Sequence, residues 1–165
     1  MTAVSNSSPL ILYLSIGQLE LIERLFIDVL VPPAVWQEVV TDGSGRVGAR
    51  ELQQASWIRR QPLPNLEVPR ALSSLHPGER EAIALASSLR PGIPIILDDR
   101  RARRLARNVG LVVIGSGGIL GLAKRAGLIT SVRPTLFELL SAGLFLSDAV
   151  VRELLEVAGE SQMGE

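Results

Sequence analysis

The stretch PIILDDRRARRLARNVGLVVIGSGGIL, residues 94–120, decides the fold. Pro94 to Leu97 form an apolar run that ends in two adjacent aspartates, Asp98 and Asp99. A basic segment follows, with Ala102 and Leu105 as its inward residues and Gly110 as its stop. A second apolar run, LVVIG, then opens through SGG into another helical pattern. Strand, helix, strand, helix is the pattern of βα units around a mostly parallel sheet, so the expected class is α/β. A glycine just past the last helical residue closes each helix in the usual left-handed way.

The same alternation extends in both directions. TAVSN (2–6) reads as a brief buried strand and SSPLILYLSIG (7–17) as a helix with serine at its cap and proline in its first turn. QLELIERLF (18–26) is a second helix, and IDVLVPP (27–33) a strand stopped by prolines that open the helix AVWQEVVTD (34–42). The polar joint DGSG (42–45) leads to a helix in RVGARELQQA (46–55), and WIRRQPLPNLEVP (57–69) reads as irregular or edge-strand material. HPGEREAIALASSLR (76–90) carries acids in its first turn and Arg90 at its end, as a helix dipole prefers. RPTLFELLSAG (133–143) and SDAVVRELLEVAG (147–159) are two closing helices. The chain is expected to be one domain over 1–159 with a disordered tail at 160–165.

Composition narrows the function classes. With 165 residues, 47% of them hydrophobic, the chain can bury one sizeable core but not two comfortably. Seventeen basic and 17 acidic side chains cancel, so overall charge points to no polyanion, although local clusters still can. The absence of cysteine excludes disulfide frameworks, thiolate zinc sites and cysteine nucleophiles. No signal-peptide pattern opens the chain, and PLILYLSIG is too short to span a bilayer, so a cytoplasmic protein without a membrane partner is expected.

Ligand sites in open α/β sheets form at the carboxyl ends of the strands. Asn6 follows one strand, Asp98 and Asp99 another. Either aspartate could simply cap the next helix for about 1 kcal/mol, but two exceed what one cap requires. Glu79 shares the helical arc of Ala82, Ile83, Leu85, Ala86 and Leu89, with Glu81 at its border. A carboxylate there is costly unless paired or coordinated; a first-turn acid serving the helix dipole is the plainer alternative. Glu38 falls away from the apolar side defined by Val35, Trp36, Val39 and Val40, and periodicity places it in solvent. Arg100, Arg101, Arg103, Arg104 and Arg107 form either a solvated helix face or a phosphate-binding one. His76, the single histidine, reads as a helix-opening residue. VVIGSGGILG begins like a dinucleotide fingerprint, with Gly115 and Gly117, but has Leu120 where the third glycine belongs.

Taken together, VSNSSPLI (4–11), VLVPPAVWQEV (29–39), LHPGEREAIALA (75–86), residues 94–120 and AKRAGLI (123–129) resemble the PIN-domain nucleases, in particular a bacterial branch related to VapC toxins. Their order and spacing carry the resemblance over nearly the whole chain. It implies a three-layer α/β/α sandwich around a mostly parallel sheet of about 4–5 strands, and acids that hold Mg²⁺ or Mn²⁺ for cutting RNA. It puts catalytic acids at Glu38, Glu79 and Asp99, with Asn6 and Asp98 joining them as metal ligands and Glu81 and Ser116 assisting; a helix N-cap is the alternative for Ser116. Arg100, Arg101, Arg103 and Arg104 would bind the RNA backbone. Most PIN nucleases carry aspartate where Asn6 stands; an amide oxygen still ligates a hard cation but adds no charge, which implies weaker metal binding. The resemblance therefore admits a second outcome, a catalytically impaired module that binds RNA or a protein partner. It also implies a small antitoxin as partner and a homodimer, for which FELLSAGLF (137–145) and VVRELLEVA (150–158) offer apolar faces.

Overall fold

Five short apolar runs pair into one sheet. They are β1 (Thr2–Ser5), β2 (Asp28–Val31), β3 (Ile58–Arg60), β4 (Ile95–Ile96) and β5 (Val113–Ile114), all parallel, in the order β3-β2-β1-β4-β5. The register sets Ala3 against Val29, Val4 against Leu30 and Ile95, Ser5 against Ile96, and Ile95 against Val113. This computed structural model describes residues 1–43, 45–46, 48–64 and 68–161. Parts of the expected joint near 44 and 47, of the irregular stretch at 65–67 and of the tail at 162–165 lie outside the described residues.

Strand side chains alternate between two faces, and each face has its own core. Ala3, Val29, Val31 and Ile96 join one cluster; Val4, Leu30, Ile95 and Leu97 join the other. The first is covered by α1 (Ser7–Ser15), α2 (Glu20–Leu25), α3 (Pro33–Trp36), α4 (Ala49–Gln54), α7 (Ser116–Arg125), α8 (Arg133–Ser141) and α9 (Asp148–Val157). The second is covered by α5 (Pro77–Ser88) and α6 (Arg100–Asn108), through Ala82, Ile83, Leu85, Ala86, Ala102 and Ala106. The result is the expected three-layer α/β/α sandwich. Burying a side chain such as Ile83 completely contributes about 2 kcal/mol.

Several boundaries depart from the sequence reading. The cap residue of α1 is Asn6, not a serine. Strands β4 and β5 keep only two paired residues each. The stretch 57–69 does supply an edge strand as expected, β3 over Ile58–Arg60, whose Arg59 pairs with Asp28 at 3.5 Å. The helix expected over 34–42 changes pitch: α3 gives way to a π segment, Gln37–Thr41, in which the Asp42 N–H reaches back to the Gln37 carbonyl at 2.7 Å. Among the described residues no helix is long and apolar enough to cross a membrane.

The expected loose tail needs correcting at Glu160. Its carboxylate accepts from Lys124 Nζ, Ser131 Oγ and the Val132 N–H, each at 2.7 Å, and from the Arg133 N–H at 2.9 Å. Arg133 Nη2 also donates to the Glu160 carbonyl. The carboxylate therefore closes the N-terminus of α8 and ties it to α7. Burial works against its charge, but these donors outweigh burial and pull its pKa down to about 2. A depressed carboxylate stabilises the fold fully above its ordinary value of 4.5 and loses that stabilisation as pH falls toward about 2. Glu160→Gln is expected to cost about 2 kcal/mol, or about 4–8 °C of melting midpoint, at pH 7. Thermal melts of both proteins from pH 7 to pH 3 check this: the gap should hold down to about pH 5 and narrow below 4.5, where the unfolded chain takes up the proton that the folded one still refuses.

Candidate active site

Strand β1 ends at Ser5, and the next residue continues its ladder for one more bond, from the Asn6 N–H to the Ile96 carbonyl at 3.1 Å. Asn6 then stands at the N-cap position of α1 with extended backbone, yet its side chain makes no cap bond. A capping asparagine is worth about 1 kcal/mol, and here that contribution is given up. The buried Asn6 amide instead faces Ser7, whose Oγ lies 3.4 Å from Asn6 Oδ1 and donates to Glu38 Oε2 at 2.5 Å.

Glu38 thus stands beside Asn6 and Ser7, where periodicity placed it in solvent. Val35, Val39 and Val40 are buried as the period expects; Glu38 lies off that apolar side, and it is not in free solvent because the Ser7 hydroxyl, 31 residues earlier in the chain, meets it there. Gly78, in the first turn of α5, lies over the same group. A Cβ on Gly78 would lie 2.7 Å from Glu38 Oε1 and 3.1 Å from both Glu38 Oε2 and Asn6 Oδ1. Only glycine lets α5 approach this closely.

The next residue, Glu79, closes a capping box with His76, its Oε2 accepting from the His76 N–H at 3.3 Å. Burial raises the Glu79 carboxyl above its usual range; the charges of Asp99 and Glu38 add to this, and the bond and charge of His76 oppose it. Asp99 itself caps α6, accepting from the Ala102 N–H at 2.8 Å. Asn6, Glu38, Glu79 and Asp99 therefore come from four separate elements into one electrostatic neighbourhood. Among the described residues the two salt bridges, Arg59–Asp28 and Lys124–Glu160, involve none of these four.

Other expected participants have different partners. Glu81 Oε2 accepts from the Ala34 N–H at 2.8 Å, which caps α3. Asp98, expected among the ligands, has both oxygens engaged by Ser116, Oδ1 by its N–H at 2.7 Å and Oδ2 by its hydroxyl at 2.6 Å. Burial raises the Asp98 carboxyl, while those bonds and Arg103 lower it. Ser116 is not the cap of α7, since Gly115 holds that position. It is the fully buried first residue, and its carbonyl accepts from Tyr13 at 2.8 Å. Burial and the Asp98 charge push the Tyr13 hydroxyl up, so it stays a donor. A carboxylate already at the N-terminus of α7 also disposes of the dinucleotide reading of VVIGSGGILG, because a phosphate would meet it there. Arg103 points inward and donates to the Leu97 carbonyl at 2.9 Å, whereas Arg100, Arg101 and Arg104 are exposed.

The donor set is all oxygen, which suits a hard cation such as Mg²⁺ or Mn²⁺. Among the described residues no three acidic or histidine side chains are close enough to enclose an ion on their own. Mg²⁺ keeps several waters and needs only one or two protein carboxylates, so the Asn6 amide and Glu38, flanked by Glu79 and Asp99, fit such an ion chemically. Sequence reasoning missed Ser7, because SNSSP looks like a run of cap residues, and Gly78, whose contribution is the absence of a side chain.

A raised carboxyl destabilises the fold once it ionises. The penalty from Glu79 is absent below its ordinary value of 4.5 and grows as pH rises through the higher folded value. Glu79→Gln keeps an acceptor for the His76 N–H and removes the charge. It is expected to raise the metal-free melting midpoint by about 1–3 °C at pH 7 and to leave it unchanged near pH 4, as differential scanning calorimetry would show.

With this geometry in place, comparison with known proteins adds one match. A family model described as a PIN domain matches residues 2–160. No curated protein and no solved structure matches the chain significantly. The family match takes in all five strands and the four elements that converge on Asn6, and the chain belongs to the PIN-domain family.

Proposed function

We propose that this PIN-domain protein is a metal-dependent endoribonuclease that hydrolyses RNA phosphodiester bonds with Mg²⁺ or Mn²⁺. The observation that carries the reading is the convergence of Asn6, Glu38, Glu79 and Asp99, with the Glu79 carboxyl raised by burial and then by the charges of Asp99 and Glu38. Such a group is relieved by a cation. Glu38 and the Asn6 amide would hold the ion, with Glu79 and Asp99 flanking it and reaching it through its waters. The chemistry an ion supplies there is activation of water and neutralisation of phosphate charge. Arg100, Arg101 and Arg104 continue from Asp99 along the exposed side of α6 and are suited to backbone phosphates, an attraction that weakens with salt. Asp98 and Ser116 assist from behind by fixing the end of β4 against α7.

The finer form of the proposal is a cytoplasmic toxin of a VapBC-like pair, held in check by a small antitoxin and working as a homodimer. The exposed Phe137 on α8 and Phe145 in the connection from α8 to α9 are surfaces such partners could cover. Asn6 favours a second reading, a catalytically impaired PIN-like module that binds RNA or a protein. Its neutral amide leaves the site one charge short of a four-acid set.

The test is cleavage of mixed single-stranded RNA with Mg²⁺ or Mn²⁺ by the parent, Glu38→Gln, Glu79→Gln, Asp99→Asn and Asn6→Asp. Each of the first three variants is expected to lose roughly 100-fold in kcat/KM, and Asn6→Asp to gain several-fold. An inactive parent that Asn6→Asp awakens favours the binding module. Inactivity in both, with full folding and bound metal, overturns the nuclease reading.

A further inference from the structure

We propose that Ser7 is a positioning residue of this site, its hydroxyl proton holding the Glu38 carboxylate in place beside Asn6. The proposal rests on the nuclease reading and assigns a role to a residue that neither periodicity nor resemblance singled out. Ser7 is the first residue of α1 and only 7% exposed. Its hydroxyl has one proton and two acceptors within reach: Glu38 Oε2 at 2.5 Å and Asn6 Oδ1 at 3.4 Å. The proton goes to the nearer, charged oxygen, because a charge-assisted O–H···O⁻ bond is shorter and stronger than a neutral one. Asn6 Oδ1 then receives at most a weak share and keeps an oxygen free for a cation.

The contact also accounts for the pairing of Asn6 with Glu38. Ser7 sits between two side chains that Gly78 confines from the other side. An aspartate at position 6 would set a second anion against the same hydroxyl. A neutral amide avoids that repulsion, and the hydroxyl offsets part of the one charge that remains. Ser7 therefore fixes which Glu38 oxygen is engaged and which is left to face the crevice. Partners of this kind, which hold a ligand without touching the ion, typically contribute about 10-fold or more to metal affinity.

The experiment is Mn²⁺ titration of the full-length protein by calorimetry, together with the Mn²⁺-induced rise in melting midpoint, for the parent, Ser7→Ala, Ser7→Thr and Glu38→Gln. The midpoint rise is read within each variant, so a loss of intrinsic stability does not obscure it. Ser7→Ala is expected to bind Mn²⁺ about 10-fold more weakly and to lower kcat on RNA with KM little changed; Ser7→Thr, which keeps the hydroxyl, should stay within about 3-fold of the parent. Should Ser7→Ala fail to fold, Ser7→Cys, a weaker donor of similar size, should show an intermediate loss, and parent-like Mn²⁺ affinity in it overturns the proposal. If Ser7→Ala binds like the parent while Glu38→Gln does not, Ser7 has no positioning role and the site reading stands. If the parent binds no Mn²⁺, or Glu38→Gln binds as the parent does, the site reading fails and the proposal goes with it.

Discussion

A parallel sheet in the order β3-β2-β1-β4-β5 changes direction between β1 and β4, and the rest of the site depends on that reversal. The chain leaving β1 enters α1 on one face of the sheet, and the chain leaving β4 enters α6 on the other. Two segments that depart to opposite sides cannot fill the space between them, so a crevice opens beyond the strand ends. Asn6 stands on one wall of that crevice and Asp99 on the other. Helix α5 brings Glu79 to it, and the first turn of the same helix brings Gly78 close enough to confine Glu38 and Asn6.

Within the crevice, acidic side chains divide between two uses that compete for the same oxygens. Helix N-termini present unpaired N–H groups that attract carboxylates. Glu81 serves α3 and Asp98 serves α7, and both are thereby tied to backbone. Asp99 serves α6 with one oxygen. Asn6 stands where a cap belongs and does not cap. The side chains left with uncommitted oxygens are those near which no helix start takes both, and this sorting follows from where the helices begin.

Much of the architecture could be read directly from apolar runs and punctuation. The run PIIL before Asp98 and the Gly110 stop mark β4, α6 and β5, and the prolines after LV mark the end of β2. Side-chain roles were harder to read, for identifiable reasons. Glu38 was placed in solvent because helical phase reports only the apolar side of its own helix, and the Ser7 hydroxyl and Gly78 that meet it come from other parts of the chain. Asp98 and Asp99 are neighbours of the same type, and only the position of Ser116, far along the chain, separates the structural one from the other. Glu160 looked like tail because its partners, Lys124 at the end of α7 and residues 131–133 at the entry to α8, lie some 27–36 residues earlier in the chain.

The π segment has a consequence for heredity. Each i→i+5 turn contains one residue more than an α turn, so deleting a single codon between Pro33 and Asp42 would restore the regular spiral. The residues beyond would keep their register, but those inside the widened turn would swing by up to about 100°, carrying Glu38 off Ser7 or Val39 off the core. The number of residues across this short span is therefore under constraint even where their identities are free to drift, and a gap there in a relative would mark a lineage that had rebuilt or abandoned this corner of the crevice.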